Sequence, residues 1–402
     1  MIINNTKIAR ATLYIFMFSI NFEMLSLAGN SDSLAVGKIT GFLYFGVLLY
    51  QRIRFDIYPY KNVLYPLVLF FLVITLSSAI HLNYYSIEIF NISIIQNMVL
   101  FFLLLIHERK DPGVLEKSLY AFALGTVLLS IFYLFGIGVE YEYGRLTLFG
   151  DDQNYIGLRM GIASIILIYL VFMSGKSFSL MRLLLIMPIP VLLTVMIKSG
   201  SRLSFITYVL MMLVLIAFYF MTNPGKRIVV AFMYVGLFIF VLMPLFLSNT
   251  LLMERLTAAK QGDLSGRDYI WEAYLHKVWE SPVIGYGFSG FMEIGINTFG
   301  GYISAHNVIL EVLLYGGFIA LLAYVWFIFR VLYYGFRRYL SEKEYIGLVL
   351  MISYIGSVLS MQVLVTKLMW FILAFNCILL SHIRLKNKNM YTNQAGGDLL
   401  TR

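Results

Sequence analysis

Long apolar stretches alternate with short polar breaks along most of the chain, at residues 8–28, 34–50, 63–81, 87–106, 116–138, 155–173, 181–197, 203–221, 226–247, 306–329, 345–364 and 367–384. Each approaches the about 20 residues with which a helix crosses the hydrocarbon core of a bilayer. A backbone inside lipid must satisfy its own hydrogen bonds, and the stretches lack the alternation of a barrel strand, so each predicts a helix. The pattern therefore predicts an all-α polytopic membrane helix bundle of about twelve transmembrane helices. The second stretch, with Gly37, Gly41 and Gly46, is among the shortest. The chain divides into residues 1–247 with nine spans, a long loop at 248–305, and residues 306–402 with three spans and a tail.

Composition agrees: 60% of the residues are hydrophobic and 13% charged, leaving too little polar surface to cover a soluble core. Two thirds of the 30 lysines and arginines fall on one side if the N-terminus is cytoplasmic, from Lys7 and Arg10 to Arg337, Arg338 and Lys343. That bias predicts both termini inside and the 248–305 loop outside. The basic residues sit in short loops between apolar runs, so membrane orientation accounts for the net charge of +9 and no nucleic-acid partner is expected. One cysteine, Cys377, excludes a disulfide within the chain. Lys7, Arg10 and the small residues around Ser26 to Ala28 resemble a signal peptide, although Asn21 and Glu23 interrupt its apolar run.

The long loop contains LSGRDYIWEAYLHKVWESP, in which Ile270, Trp271, Tyr274, Leu275, Val278 and Trp279 recur at helical spacing. Ser265 is the expected N-cap, with Asp268 three residues on and Pro282 closing the helix. Such a helix either lies along the membrane surface or packs on the bundle as a lid. The following IGYGFSGF matches the dinucleotide fingerprint in letters only, since no strand–turn–helix context surrounds it. Its glycines serve a tight turn or a close backbone approach to a ligand.

Several polar residues stand where the pattern does not require them. Lys198 and Arg202 occupy IKSGSRLS, a break on the outer side where cations are disfavoured. His306 and Asn307 open the tenth span, and Arg159 lies one turn inside the sixth, where it either faces a wet cavity as an anion ligand or snorkels to the interface. Asp151 and Asp152 precede that span, as a helix N-cap or a cation site. Lys38 and Lys367 share the ambiguity of Arg159. His81, His107, His276 and His382 lie apart, and no HExxH or cysteine cluster exists, so no metal site is expected.

The ordered set Ser201-Arg202, Gly266-Arg267, Pro282-x-x-Gly285-x-Gly287, then His306-Asn307 with Gly317 beyond, resembles the O-antigen ligase and polymerase family of bacterial envelope glycosyltransferases. Many members of that family carry glycine after the Ser-Arg pair, where this chain has Leu203. The resemblance implies a GT-C-like fold in the bacterial inner membrane, with a metal-independent, cofactor-free transferase site facing the periplasm. It implies a donor oligosaccharide on undecaprenyl diphosphate, an acceptor glycan, and chain-length regulator and flippase proteins as partners. Arg202 and Arg267 correspond to the diphosphate-holding arginines and His306 to the residue that acts at the acceptor.

Physical chemistry supports those roles. Guanidinium groups give bidentate, charge-assisted hydrogen bonds that strengthen as a diphosphate leaves, and Lys198 and Arg159 are further candidate cations for it. An imidazole has an ordinary pKa near 6.5 and suits removal of the acceptor proton; direct displacement inverts the anomeric carbon. Tyr286 and Tyr302 are candidates to stack on sugar rings. Polymerisation of repeat units is the expected reaction, with ligation to lipid A core as the alternative. An anion or lipid-linked sugar transporter would show inverted repeats with broken helices at matching positions. None is visible in the sequence. A scaffold of an envelope assembly complex would have no reason to gather Arg202, Arg267 and His306.

Overall fold

The computed structural model describes residues 5–25, 35–50, 58–81, 90–172, 184–223, 236, 238–263 and 265–378. The cleavage-like Ser26 to Ala28, half of the 226–247 stretch and the basic tail beyond residue 378 lie outside the described residues.

The first half contains α1 (Asn5–Ser19), α2 (Val36–Tyr50), α3 (Lys61–Ile80), α4 (Phe90–Lys110) and α5 (Val114–Leu134), then strands β1 (Val139–Glu142) and β2 (Arg145–Leu148) and helix α6 (Gln153–Phe172). The second half contains α7 (Ile189–Lys198), α8 (Arg202–Thr222), the short α9 (Met243–Leu247), α10 (Thr250–Lys260), α11 (Arg267–Glu280), α12 (Gly287–Phe299), α13 (Val308–Glu342), α14 (Ile346–Val358) and α15 (Lys367–Asn376). Among the described residues five helical segments are long and apolar enough to cross a membrane: Tyr58–Ile80, Val114–Leu134, Gln153–Phe172, Arg202–Thr222 and Val308–Glu342. The chain is thus a helical membrane bundle. Helices α2, α7, α14 and α15 are apolar but shorter.

Helix α6 is the central post, with nearly every side chain buried, and α5, α7, α8 and α14 pack around it. Helix α3 lies along α13, where Phe70 and Tyr324 bring their rings within 5.5 Å. Asn21 and Glu23, the polar interruptions of the first apolar stretch, have partners across the bundle. Asn21 donates to the Phe122 carbonyl at 3.1 Å and accepts from Thr126 at 2.8 Å, while Glu23 pairs with Arg159 and Lys367. In lipid such internal partners replace the water that polar groups would otherwise lose.

Three features depart from the sequence reading. Residues 139–148 form an antiparallel hairpin, with Val139 opposite Leu148 and Glu142 opposite Arg145. Its turn residues Tyr143 and Gly144 both have positive φ (51° and 75°), the backbone that suits a right-twisted two-residue hairpin. Secondly, α13 runs on to Glu342, and its 35 residues include a break at Gly316 (φ −151°) and Gly317 (φ 63°). A boundary drawn at the charged Arg330 missed the continuation, because charge does not end a helix once it leaves the hydrocarbon. Thirdly, Ser265 is not the cap of α11. Gly266 holds that place in a left-handed conformation (φ 74°), and the Ser265 hydroxyl is bonded elsewhere.

The break in α13 explains two of the sequence motifs together. Opening a helix frees backbone groups that must be paired again, and the segment 282–286 supplies the partners. Tyr286 N–H donates to the Leu314 carbonyl at 2.7 Å, and Phe318 N–H donates to the Pro282 carbonyl at 2.8 Å. A β-carbon at Gly285 would lie 2.6 Å from the Leu314 oxygen. The glycines of IGYG therefore let backbone meet backbone, not ligand. Gly287 continues the docking against α3, where Phe288 N–H donates to Ser78 Oγ at 3.0 Å.

Helix α11 packs on α13 and the segment before it. Tyr274 and Val278 are buried, Trp271 donates through Nε1 to the Ala305 carbonyl at 2.8 Å, and the Tyr274 hydroxyl bonds the Ile303 carbonyl. Leu275 and Trp279 remain exposed on its outer side.

Candidate active site

The turn between α7 and α8 is the polar break in IKSGSRLS. Ser199, Ser201 and Ser204 are buried there, and Ser201 caps α8 by accepting from Ser204 N–H. Ser204 donates to the Asn154 carbonyl at 3.1 Å, and a β-carbon at Gly157 would sit 2.5 Å from Ser199 Oγ. Close packing of small residues thus locks the turn onto the start of α6 and fixes where Arg202 emerges.

Arg202 reaches toward the long loop. Its Nη1 donates to the Arg255 and Asp263 carbonyls, both at 3.0 Å, and its Nη2 donates to Ser265 Oγ at 2.8 Å. Of its five N–H groups, Nε and one on Nη2 remain beyond these bonds. Arg202 therefore ties α10 to the start of α11, where Arg267 is the first helical residue.

Around Arg202 stand three further guanidiniums: Arg145 of β2, Arg255 of α10 and Arg267 of α11. Arg145 lies along Gly200 and donates to the Ser199 carbonyl at 2.9 Å and to Asn154 Oδ1 at 3.0 Å. Arg255 and Arg267 are half-buried, and neither guanidinium donates a hydrogen bond to another described residue. Burial and then the charge of Arg255 push the Arg145 guanidinium down to about 10. Arg255 is lowered by burial and then by Arg202, and Arg267 by burial and then by Arg202 and Arg255. The nearby carboxylates are Asp152, Asp263 and, beside Arg145, Glu142. Four clustered arginines, two of which donate to no described residue, form a site complementary to a multivalent anion.

His306 is half-buried beside this cluster, and its imidazole makes no hydrogen bond to a described residue. Burial lowers its pKa below the ordinary value, Arg267 lowers it further, and Asp152 opposes both. The ring is therefore neutral near pH 7, as a proton acceptor must be. Asn307 caps α13, accepting at Oδ1 from Ile309 N–H at 3.0 Å and Leu310 N–H at 3.2 Å. Tyr302 accepts from Gln362 at 3.0 Å and neighbours Glu311 and Tyr155. Tyr286 lies apart, its hydroxyl bonded to the Lys277 carbonyl at 3.0 Å and its ring near His81.

The structure thus brings Arg202, Arg267 and His306 together. Lys198 it does not bring in: the ammonium lies 5.5 Å from the Tyr133 ring centre, and its electrostatic neighbours are Tyr133 and Tyr141. Lys198 closes α7, whereas Arg202 opens α8, and the chain turns between them at Gly200 (φ 61°). Arg159 is neither exposed nor snorkelling. It is 4% exposed and paired with Asp151 and, at 3.5 Å, with Glu23, which in turn holds Lys367. Asp152 caps α6, accepting at Oδ1 from Asn154 N–H at 2.8 Å. Among the described residues no group of three His, Cys, Asp or Glu side chains is placed to hold a metal ion.

Sequence reasoning did not single out Arg145 or Arg255. Both belong to the outer-side minority of basic residues, and that charge asymmetry was the available signal. Arg145 needed the hairpin to be recognised before it had an address.

Residues 187–325 match a family model described as O-antigen ligase. The matched segment holds Lys198, Arg202, Arg255, Arg267 and His306, while Arg145 and Asp152 lie before it. No curated protein sequence matches the chain.

Proposed function

We propose that this chain, a member of the O-antigen ligase and polymerase family by its match across residues 187–325, transfers an oligosaccharide from a polyprenyl diphosphate to an acceptor hydroxyl. The carrying observation is the arginine cluster, in which Arg255 and Arg267 donate to no described residue, beside the half-buried imidazole of His306. The cluster holds the diphosphate of an undecaprenyl-type carrier, and His306 faces the acceptor.

In the reaction the acceptor oxygen attacks the anomeric carbon from the side opposite the diphosphate. The new glycosidic bond forms as the bond to the diphosphate oxygen breaks, with inversion at that carbon. The acceptor proton goes to His306, and the electron pair of the broken bond leaves on the lipid diphosphate. Arg202, Arg255 and Arg267 stabilise that charge as it grows, and Arg145, tied to the α7–α8 turn, adds field from behind. No metal enters these steps. Arg159 and Lys198 are left out of the anion site because their partners are Asp151 with Glu23 and Tyr133 respectively.

We read the acceptor as the end of another carrier-linked repeat unit, which makes the enzyme a polymerase of O-antigen or capsular polysaccharide. The second reading, ligation of the glycan to lipid A core, is equally compatible with the matched family model, described as O-antigen ligase. Both place the site on the periplasmic face of a twelve-span, GT-C-like bundle with cytoplasmic termini, beside a flippase and a chain-length regulator. Residues 248–305 then form the extracytoplasmic lid between two groups of spans. The deciding experiment is a gene deletion with gel analysis of surface polysaccharide. Single attached repeat units support the polymerase, and absence of any attached unit supports the ligase. Purified protein that moves lipid-linked sugar across vesicles without forming a glycosidic bond overturns both.

A further inference from the structure

We infer that Glu311 is a positioning residue that holds His306 in its working conformation, an inference resting on the reading of His306 as the proton acceptor. Glu311 sits one turn into α13 and is 2% exposed. Its Oε1 accepts from Ser304 Oγ at 2.6 Å, and the same Ser304 oxygen accepts from His306 N–H at 3.0 Å. The carboxylate also lies close to the backbone N–H groups of Ala305 and His306. A buried carboxylate thus folds back over the segment that precedes its own helix.

That segment needs holding. His306 has φ 48°, a left-handed backbone that a residue with a β-carbon adopts only when its surroundings impose it. The surroundings act from two sides. Ser304, itself held by Glu311, accepts the His306 N–H, while Trp271 and Tyr274 of α11 donate to the Ala305 and Ile303 carbonyls. Every one of these bonds goes to backbone or to Ser304, and none to the imidazole. The ring is aimed by its backbone, so it stays free to meet an acceptor hydroxyl. A buried carboxylate without a cationic partner is costly to keep, and orienting His306 is a function that would retain it. The arrangement also couples the long loop to the reaction, since α11 carries both Arg267 and the two aromatic donors.

The test uses the full-length protein in lipid nanodiscs with an undecaprenyl-diphosphate oligosaccharide and compares Glu311→Gln, Ser304→Ala and His306→Ala. A misplacement of about 1 Å at a reacting group costs on the order of 100-fold in rate. Glu311→Gln should therefore lower kcat by at least about 10-fold, leave donor affinity within about 2-fold, and keep the pH midpoint of the rate profile. Ser304→Ala, which keeps the carboxylate, should show a smaller loss of the same kind and carries the test should Glu311→Gln fail to insert. Wild-type kcat in Glu311→Gln overturns the inference. So does a fall in kcat and donor affinity together, which marks a merely structural role, or loss of the acid limb of the profile, which would make Glu311 itself the base. His306→Ala separates the two levels: turnover retained there removes the reading of His306, whereas an inactive His306→Ala beside a normal Glu311→Gln removes only the role of Glu311.

Discussion

Gly317 lies so close to Val283 that a β-carbon on it would fall 2.2 Å from the Val283 carbonyl oxygen. The contact joins the broken helix α13 to the segment 282–286 of the long loop, where Phe318 N–H also donates to the Pro282 carbonyl. Gly317→Ala meets both this clash and a φ of 63°. The substitution should destabilise the protein by roughly 2–4 kcal/mol. A fluorescence thermal-unfolding scan in detergent checks this, with Gly300→Ala as control: that glycine has a similar φ of 76° and nothing within 4 Å of its β-carbon position.

Arg255 and Arg267 spend no donor on the described protein, so their removal takes away ligand contact without leaving a protein group unpaired. Arg255→Ala and Arg267→Ala should each lower turnover about 100-fold while the protein inserts and unfolds normally. The lysine variants should recover little, because an ammonium lacks the forked geometry. Steady-state turnover paired with thermal unfolding distinguishes the two effects.

Arg202 is different in kind. It braces the Arg255 and Asp263 carbonyls and Ser265, so Arg202→Ala should lose turnover and also raise protease sensitivity between residues 255 and 265. Ser265→Ala, which removes only one of these bonds, should cost about 1 kcal/mol or less. Limited proteolysis with mass spectrometry reads the difference.

The pH dependence follows from His306. Its pKa is depressed by burial and Arg267, so the neutral, proton-accepting form prevails above a midpoint lower than the ordinary value of about 6.5. Turnover should rise with pH through that midpoint and level off near neutrality. Arg267→Gln removes a positive neighbour and should move the midpoint up, while Asp152→Asn removes a negative one and should move it down. Rate profiles of residual activity give the sign in each case.

Asp151 and Arg159 form a buried pair at the top of α6. Asp151→Ala leaves a guanidinium in the bundle with only Glu23 at 3.5 Å to compensate, and should destabilise by about 3–5 kcal/mol. Replacing both, as Asp151→Leu with Arg159→Met, should recover much of that loss. Unfolding midpoints of the single and double variants form the cycle that measures it.

Much of the bundle was legible because lipid imposes one rule on every span, and apolar length alone reports it. The break at Gly316–Gly317 was not, since a helix that opens and is repaired by another backbone segment looks apolar throughout. Arg202, Arg267 and His306 were legible as polar residues in costly places. Lys198 has the same signature but lies against Tyr133, because spacing along the chain does not say which way a side chain at a helix end points. Arg145 and Glu311 depend on tertiary partners, a hairpin and a returning loop, that no local pattern announces. Arg159 read as an exposed or ligand-binding cation because its partners Asp151 and Glu23 come from a turn and a distant helix end.

The central claim is that the carrier diphosphate sits among Arg202, Arg255 and Arg267 beside His306. An electron cryo-microscopy structure with bound undecaprenyl diphosphate tests it most directly. The account expects phosphate oxygens about 3 Å from the Arg255 and Arg267 guanidinium nitrogens, with His306 on the side of the anomeric position opposite the departing oxygen. A diphosphate bound elsewhere, against Lys198 or at the opposite end of the bundle, with both arginines still unbonded, would contradict it.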